Sequence, residues 1–163
     1  MNYRYVAGLW HRLMRGLGYE RYGAQGGDFG AGVATFMALD NPEPMIGVHL
    51  SNLEIPPYTG PGSRQLSEAE RTYLERSEAW WRLTTLTIYW ATQTITSSMR
   101  DYFDNRWFGV TLGPQDFVHV PTGIAAFDNR FVPEGTPPRE WAERLYSVRQ
   151  WTPMPSGGHF APR

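Results

Sequence analysis

The chain of 163 residues contains no cysteine. Disulfides, thiolate metal centres and a cysteine nucleophile are therefore excluded. It also lacks a charge imbalance: 15 basic residues stand against 16 acidic ones, for a net charge of -1. Nothing in that balance favours nucleic acid or an anionic membrane surface as a partner. Long apolar runs are missing too. No window approaches the ~18 consecutive apolar residues of a membrane-spanning helix, and Met1 to Val6 lacks the apolar stretch of a signal peptide. A soluble, cytoplasmic chain is expected. His11, His49 and His119 show neither a partnered carboxylate nor a metal-ligand spacing, so they read as structural or surface residues, and no metal or cofactor is expected. Aromatic residues, by contrast, make up 15% of the chain. Side chains of that kind line apolar pockets as well as cores, which points to small uncharged ligands.

The most informative stretch is Gly26-Gly27-Asp28-Phe29-Gly30. It sets one carboxylate in a glycine-framed turn between a short strand at Tyr22 to Gln25 and a helix from Gly30 to Leu39. A sharp strand-to-helix turn needs small neighbours, because the backbone is strained and closely packed there. Two readings fit. Asp28 either presents a nucleophile or simply caps the helix, since Asp favours N-caps and glycine favours turns.

Around this turn the pattern is that of an α/β chain. Val6, Leu9, Trp10, Leu13 and Met14 recur at helical spacing up to Gly16. After a break at Asn41-Pro42-Glu43-Pro44, Met45 to Leu50 is a continuous apolar run suited to a buried parallel strand. Residues 55 to 62 are rich in Pro and Gly, and a segment without strand signal follows. Ser67-Glu68-Ala69-Glu70 is a capping box that predicts a helix to about Trp81. The β-branched stretch Leu83 to Thr96 is read as a further helix from its length. Asp116 to Gly123 is a strand, Pro137 to Leu145 a helix headed by proline, and Ser147 to Met154 the last strand before the loop Gly157-Gly158-His159-Phe160. Strands alternating with helices predict about four parallel strands with flanking helices. Three parts follow: residues 1–54 as the elbow part of the core, 55–108 as an inserted helical cap, and 109–163 as the rest of the core.

Several of these motifs together resemble an epoxide hydrolase of the microsomal type, a member of the α/β-hydrolase superfamily. They are Leu9 to Met14, Leu17-Gly18-Tyr19, Gln25 to Gly30, Tyr89-Trp90, Thr94 to Ser98, Trp141 and Gly157 to Phe160. The resemblance implies a partial α/β-hydrolase fold and a hydrolase that converts a hydrophobic epoxide and water to a diol. Asp28 would open the epoxide and form an alkyl ester, which splits one difficult hydrolysis into two steps. His159 would activate the water that cleaves the ester. The Phe29 amide would be an oxyanion donor, and Tyr102 would hydrogen-bond the epoxide oxygen. Haloalkane dehalogenases share the aspartate elbow, but Ser97 to Tyr102 favours the epoxide hydrolase.

The chain departs from the family pattern in three ways. Arg130 stands where the acid that orients the histidine is expected, and an arginine cannot accept an imidazole N–H. Glu134, or Asp128, is the candidate substitute. The His-Gly-x-Pro loop and the first half of the sheet have no counterpart, and the cap is short, with Trp80-Trp81 running almost directly into Leu83-Thr84. A truncated and catalytically inactive member of the family is therefore the alternative. The Tyr22 to Gln25 strand would then be an exposed sheet edge, open to self-association.

Overall fold

The computed structural model describes residues 2–80, 111–128 and 135–155. Within them the chain runs α1 (Tyr3–Gly16), β1 (Tyr22–Gly26), α2 (Phe29–Asp40), β2 (Met45–Leu50), α3 (Glu68–Trp80), β3 (Val118–Phe127), α4 (Arg139–Glu143) and β4 (Tyr146–Met154). The four strands form one all-parallel sheet in the order β1-β2-β3-β4. That is the α/β arrangement the alternation of strands and helices predicts.

Register explains which side of the sheet is core. Ala24, Val48, Thr122 and Val148 are aligned across the four strands, and Val48 and Thr122 on that row are buried. The next row, Gln25, His49, Gly123 and Gln150, points the other way, with Gln25, His49 and Gln150 exposed. The packed row meets α2, whose residues Ala31 to Ala38 are all buried. A helix buried all round must be apolar all round, and small residues let it lie close to the sheet. Tyr146 reaches α2 from the start of β4, its hydroxyl 2.8 Å from Thr35 Oγ1. Burial pushes that phenol's pKa upward, and it stays neutral.

The first helix forms as its spacing predicts, but its core face differs from the expected one. Ala7 and His11 are buried, with Val6 and Met14 partly so, whereas Leu9, Trp10 and Leu13 are exposed. The reason is polar. His11 Nε2 lies 3.0 Å from the Met37 carbonyl and Nδ1 2.5 Å from the Tyr22 hydroxyl. A carbonyl can only accept, so Nε2–H donates to it, and Nδ1 pairs with the Tyr22 hydroxyl. Those two bonds rotate α1 so that the Leu/Trp side faces outward. His11 is thus a structural core residue, while His49 and His119 are exposed.

The capping box is present as read. Glu70 N–H donates to Ser67 Oγ at 3.2 Å, and Ser67 N–H returns to Glu70 Oε2 at 2.8 Å. The same carboxylate, fully buried, also takes Arg144 Nε at 2.6 Å and Arg64 Nη2 at 2.8 Å. Burial alone would raise the Glu70 carboxyl, yet the bonds from Arg144, the Ser67 amide and Arg64 outweigh it and hold the pKa at about 2. Tyr73 packs its ring on Trp141, with centroids 5.9 Å apart. Together these contacts fasten α3 to the α4–β4 junction.

Candidate active site

In a parallel sheet every strand ends on the same edge, and sites collect where the chain leaves it. Here that edge brings together Asp28 after β1, Asn52 and Glu54 after β2, and Asp128 directly after β3. β4 ends at Met154, and His159 follows in the sequence. Tyr102, Arg130, Glu134 and His159 lie outside the described residues. Asp128 is within them and exposed.

The turn at Asp28 is strained. Asp28 has φ 51° and ψ -133°, and it is the only non-glycine with positive φ among the described residues. That ψ is far from the left-handed helical well near +45°, so the conformation costs on the order of 1–3 kcal/mol and persists only where surroundings impose it. The glycine frame makes it reachable. A Cβ built on Gly26 would collide with the Gly30 backbone carbonyl, whereas one on Gly30 meets nothing within 4 Å. Gly26 is therefore required by close backbone approach.

The N-cap alternative is not what the side chain does. Asp28 occupies the N-cap position of α2, yet its carboxylate makes no capping hydrogen bond. Backbone bonds close the turn instead, from Gly30 N–H to the Gly27 carbonyl at 3.0 Å and from Ala31 N–H to the Asp28 carbonyl at 2.8 Å. Phe29 opens α2, so its N–H is among the amides that a helix leaves without an internal partner. It follows the Asp28 carboxylate directly in the chain.

Three residues that sequence reading passed over support this turn. Asp28 N–H donates to Asn52 Oδ1 at 2.5 Å, Asn52 Nδ2 donates to Glu54 Oε2 at 3.2 Å, and Tyr3 O–H donates to Glu54 Oε1 at 2.8 Å. The Tyr3 ring rests on Phe29, centroids 4.4 Å apart, and against Gly32, where a Cβ would clash with it. For Asn52 and Glu54 the available signal was position, as polar residues just past the C-terminal end of a parallel strand; Tyr3, at the start of α1, carried no such signal.

Comparison with known proteins gives these features a context. No family model matches the chain. A protein of Stigmatella aurantiaca provisionally named epoxide hydrolase is 27% identical over 211 residues, covering 96% of this chain and 46% of that one. Epoxide hydrolase 1 of Sus scrofa is 40% identical over 82 residues, 48% of this chain and 17% of its own length. The first match is longer than the chain's 163 residues, so that relative carries several tens of residues without a counterpart here. Among solved structures, juvenile hormone epoxide hydrolase from Bombyx mori superposes with a TM-score of 0.63 at 19% identity, covering 98% of this chain and 55% of that one. The Aspergillus niger epoxide hydrolase gives 0.60 at 21%, covering 95% and 51%. These likenesses show the fold. The chain is related in sequence to epoxide hydrolases, which are hydrolytic enzymes, and carries part of an α/β-hydrolase fold. It spans about half the length of the relatives it matches throughout.

Proposed function

We propose that the chain performs epoxide hydrolase chemistry with Asp28 as nucleophile. The observation that carries this reading is the Asp28 backbone: φ 51° and ψ -133° at a strand-to-helix turn, with the carboxylate uninvolved in capping. A protein stores strain of this kind where function requires it. In the first step an Asp28 oxygen attacks an epoxide carbon, the carbon–oxygen bond of the ring breaks, and Tyr102 gives its proton to the departing oxygen. An alkyl ester results. In the second, His159 takes a proton from water and the hydroxide adds to the ester carbonyl, whose oxyanion the Phe29 N–H receives. Collapse restores the Asp28 carboxylate and releases the diol; the proton held by His159 passes through solvent to the Tyr102 oxygen. Glu134 or Asp128 orients His159 in place of the acid that Arg130 displaces. Residues 55–108 form the cap over a small hydrophobic epoxide.

No helix among the described residues is long and apolar enough to cross a membrane. In this reading the chain works in the cytoplasm. A second reading, a catalytically silent relative, is favoured by Arg130 at the position expected for the orienting acid. The outer edge of β1, which has no strand partner among the described residues, and the exposed side of α1 would then serve self-association. Incubation of the purified chain with styrene oxide and, in parallel, a bromoalkane separates these readings. Diol without halide release is the expected result. Halide release indicates a dehalogenase, and no product from folded chain indicates the silent relative.

A further inference from the structure

The strained Asp28 backbone needs partners that over-determine it, and one of its amides has an assigned keeper. We propose that Asn52 is a positioning residue for Asp28, aimed by Glu54 and Tyr3; this deepens the nucleophile reading and rests on it. The chemistry of the four groups fixes the direction of every bond. An ionised carboxylate only accepts, so Glu54 draws the NH2 side of the Asn52 amide at 3.2 Å and the Tyr3 hydroxyl at 2.8 Å. With its NH2 turned to Glu54, Asn52 has its carbonyl oxygen facing Asp28 N–H at 2.5 Å. A flipped amide would set NH2 against N–H and carbonyl against carboxylate, two repulsions in place of two bonds. Tyr3 anchors the far end, because its ring is pinned on Phe29 and Gly32 of α2. The relay thus joins the start of α1 and the loop after β2 to the apex of the elbow.

This arrangement divides the labour of the two adjacent amides. Asp28 N–H is engaged by Asn52 on the side of the loop after β2. Phe29 N–H, opening α2, is left for a substrate oxygen. Losing the Asn52 carbonyl would leave a part-buried N–H at a strained residue, and the peptide could rotate toward an ordinary conformation. The carboxylate and the Phe29 N–H would turn with it.

Amide hydrogen exchange on the folded chain, read by NMR alongside thermal melts, tests the relay without any need for turnover. Asn52→Ala should speed exchange at Asp28 about tenfold to hundredfold, as loss of one part-buried hydrogen bond implies, while the Ser51 and Tyr22 amides, bonded to the Gly26 and Pro44 carbonyls, change less than about twofold. Glu54→Lys keeps Asn52 but reverses its amide, and should expose Asp28 N–H equally. Glu54→Gln still offers a carbonyl to the Asn52 NH2 and should restore protection. Unchanged Asp28 exchange in both Asn52→Ala and Glu54→Lys overturns the relay; should Asn52→Ala fail to fold, Glu54→Lys alone decides. Alkylation of Asp28 by styrene oxide in a His159→Gln background, where the ester is not cleaved, followed by intact mass, gives the second readout. In Asn52→Ala its maximal rate should fall about tenfold to hundredfold with the half-saturating concentration unchanged. A His159→Gln chain that is never alkylated counts against the nucleophile alone, since the exchange result stands apart from it.

Discussion

At its C-terminal end β1 enters a turn in which Gly26 touches the Gly30 backbone and Asp28 N–H is held by Asn52. Along its outer edge it has no strand partner among the described residues, and α1 leaves Trp10 and Leu13 nearly half exposed, at 48% and 47%. One region is strained and closely matched; the other is relaxed and apolar without a covering surface. The contrast teaches where the fold's specificity resides. Polar groups with defined partners hold the elbow and the α3 anchor in place, whereas the outer side of α1 is set by what His11 requires on the inner side.

If that division is right, damage should be severe on the matched side and slight on the other. The largest effect is expected at Glu70. Glu70→Ala leaves Arg144 buried without its carboxylate and should cost about 3–5 kcal/mol in chemical denaturation. Acid probes the same group. Its folded pKa of about 2 lies below the ordinary 4.5, so its stabilisation is complete above pH 4.5 and drains away as pH falls toward 2. Melting temperature should decline through that window, and Glu70→Gln should flatten the decline. Gly26→Ala comes next, at about 3 kcal/mol, because the added methyl meets backbone that cannot yield. Gly30→Ala is its control and should be neutral or slightly stabilising, since the site is open and helical.

A smaller effect of opposite sign is expected from Asp28→Gly. Glycine adopts positive φ without penalty, so the melt should show a gain of about 1 kcal/mol while ester formation is abolished. Smallest of all is Leu13→Glu on the outward side of α1, within about 0.5 kcal/mol for the monomer. The same substitution should lower any self-association seen by sedimentation. A large loss of monomer stability there would break the comparison, by showing that the exposed side of α1 is structural after all.

What could be read in the sequence was what is local. The elbow, the capping box at Ser67 and Glu70 and the strand at β2 each lie within a few consecutive residues, and each is present, although β2 buries only Met45, Val48 and Leu50 and leaves Ile46 and His49 exposed. What could not be read depended on distant partners. Glu70 was legible as a cap but not as an anchor, because Arg144 lies 74 positions away. The outward turn of Leu9, Trp10 and Leu13 runs against the usual apolar-inside rule and follows from a carbonyl on α2 and a hydroxyl on β1. Asn52 and Glu54 sit before a proline-rich stretch and read as ordinary loop residues until the fold brings them to Asp28. Of the candidate site, Asp28 and Phe29 stand together at the elbow, and Asp128 follows β3 on the same sheet edge.

The central claim is that the strained Asp28 is a nucleophile, and mass spectrometry of the folded chain treated with styrene oxide tests it most directly. His159→Gln should slow ester cleavage, so a peptide containing Asp28 is expected to gain the mass of one epoxide, and Asp28→Asn should abolish that gain. A folded chain whose Asp28 peptide never changes mass, with or without His159, would contradict the account.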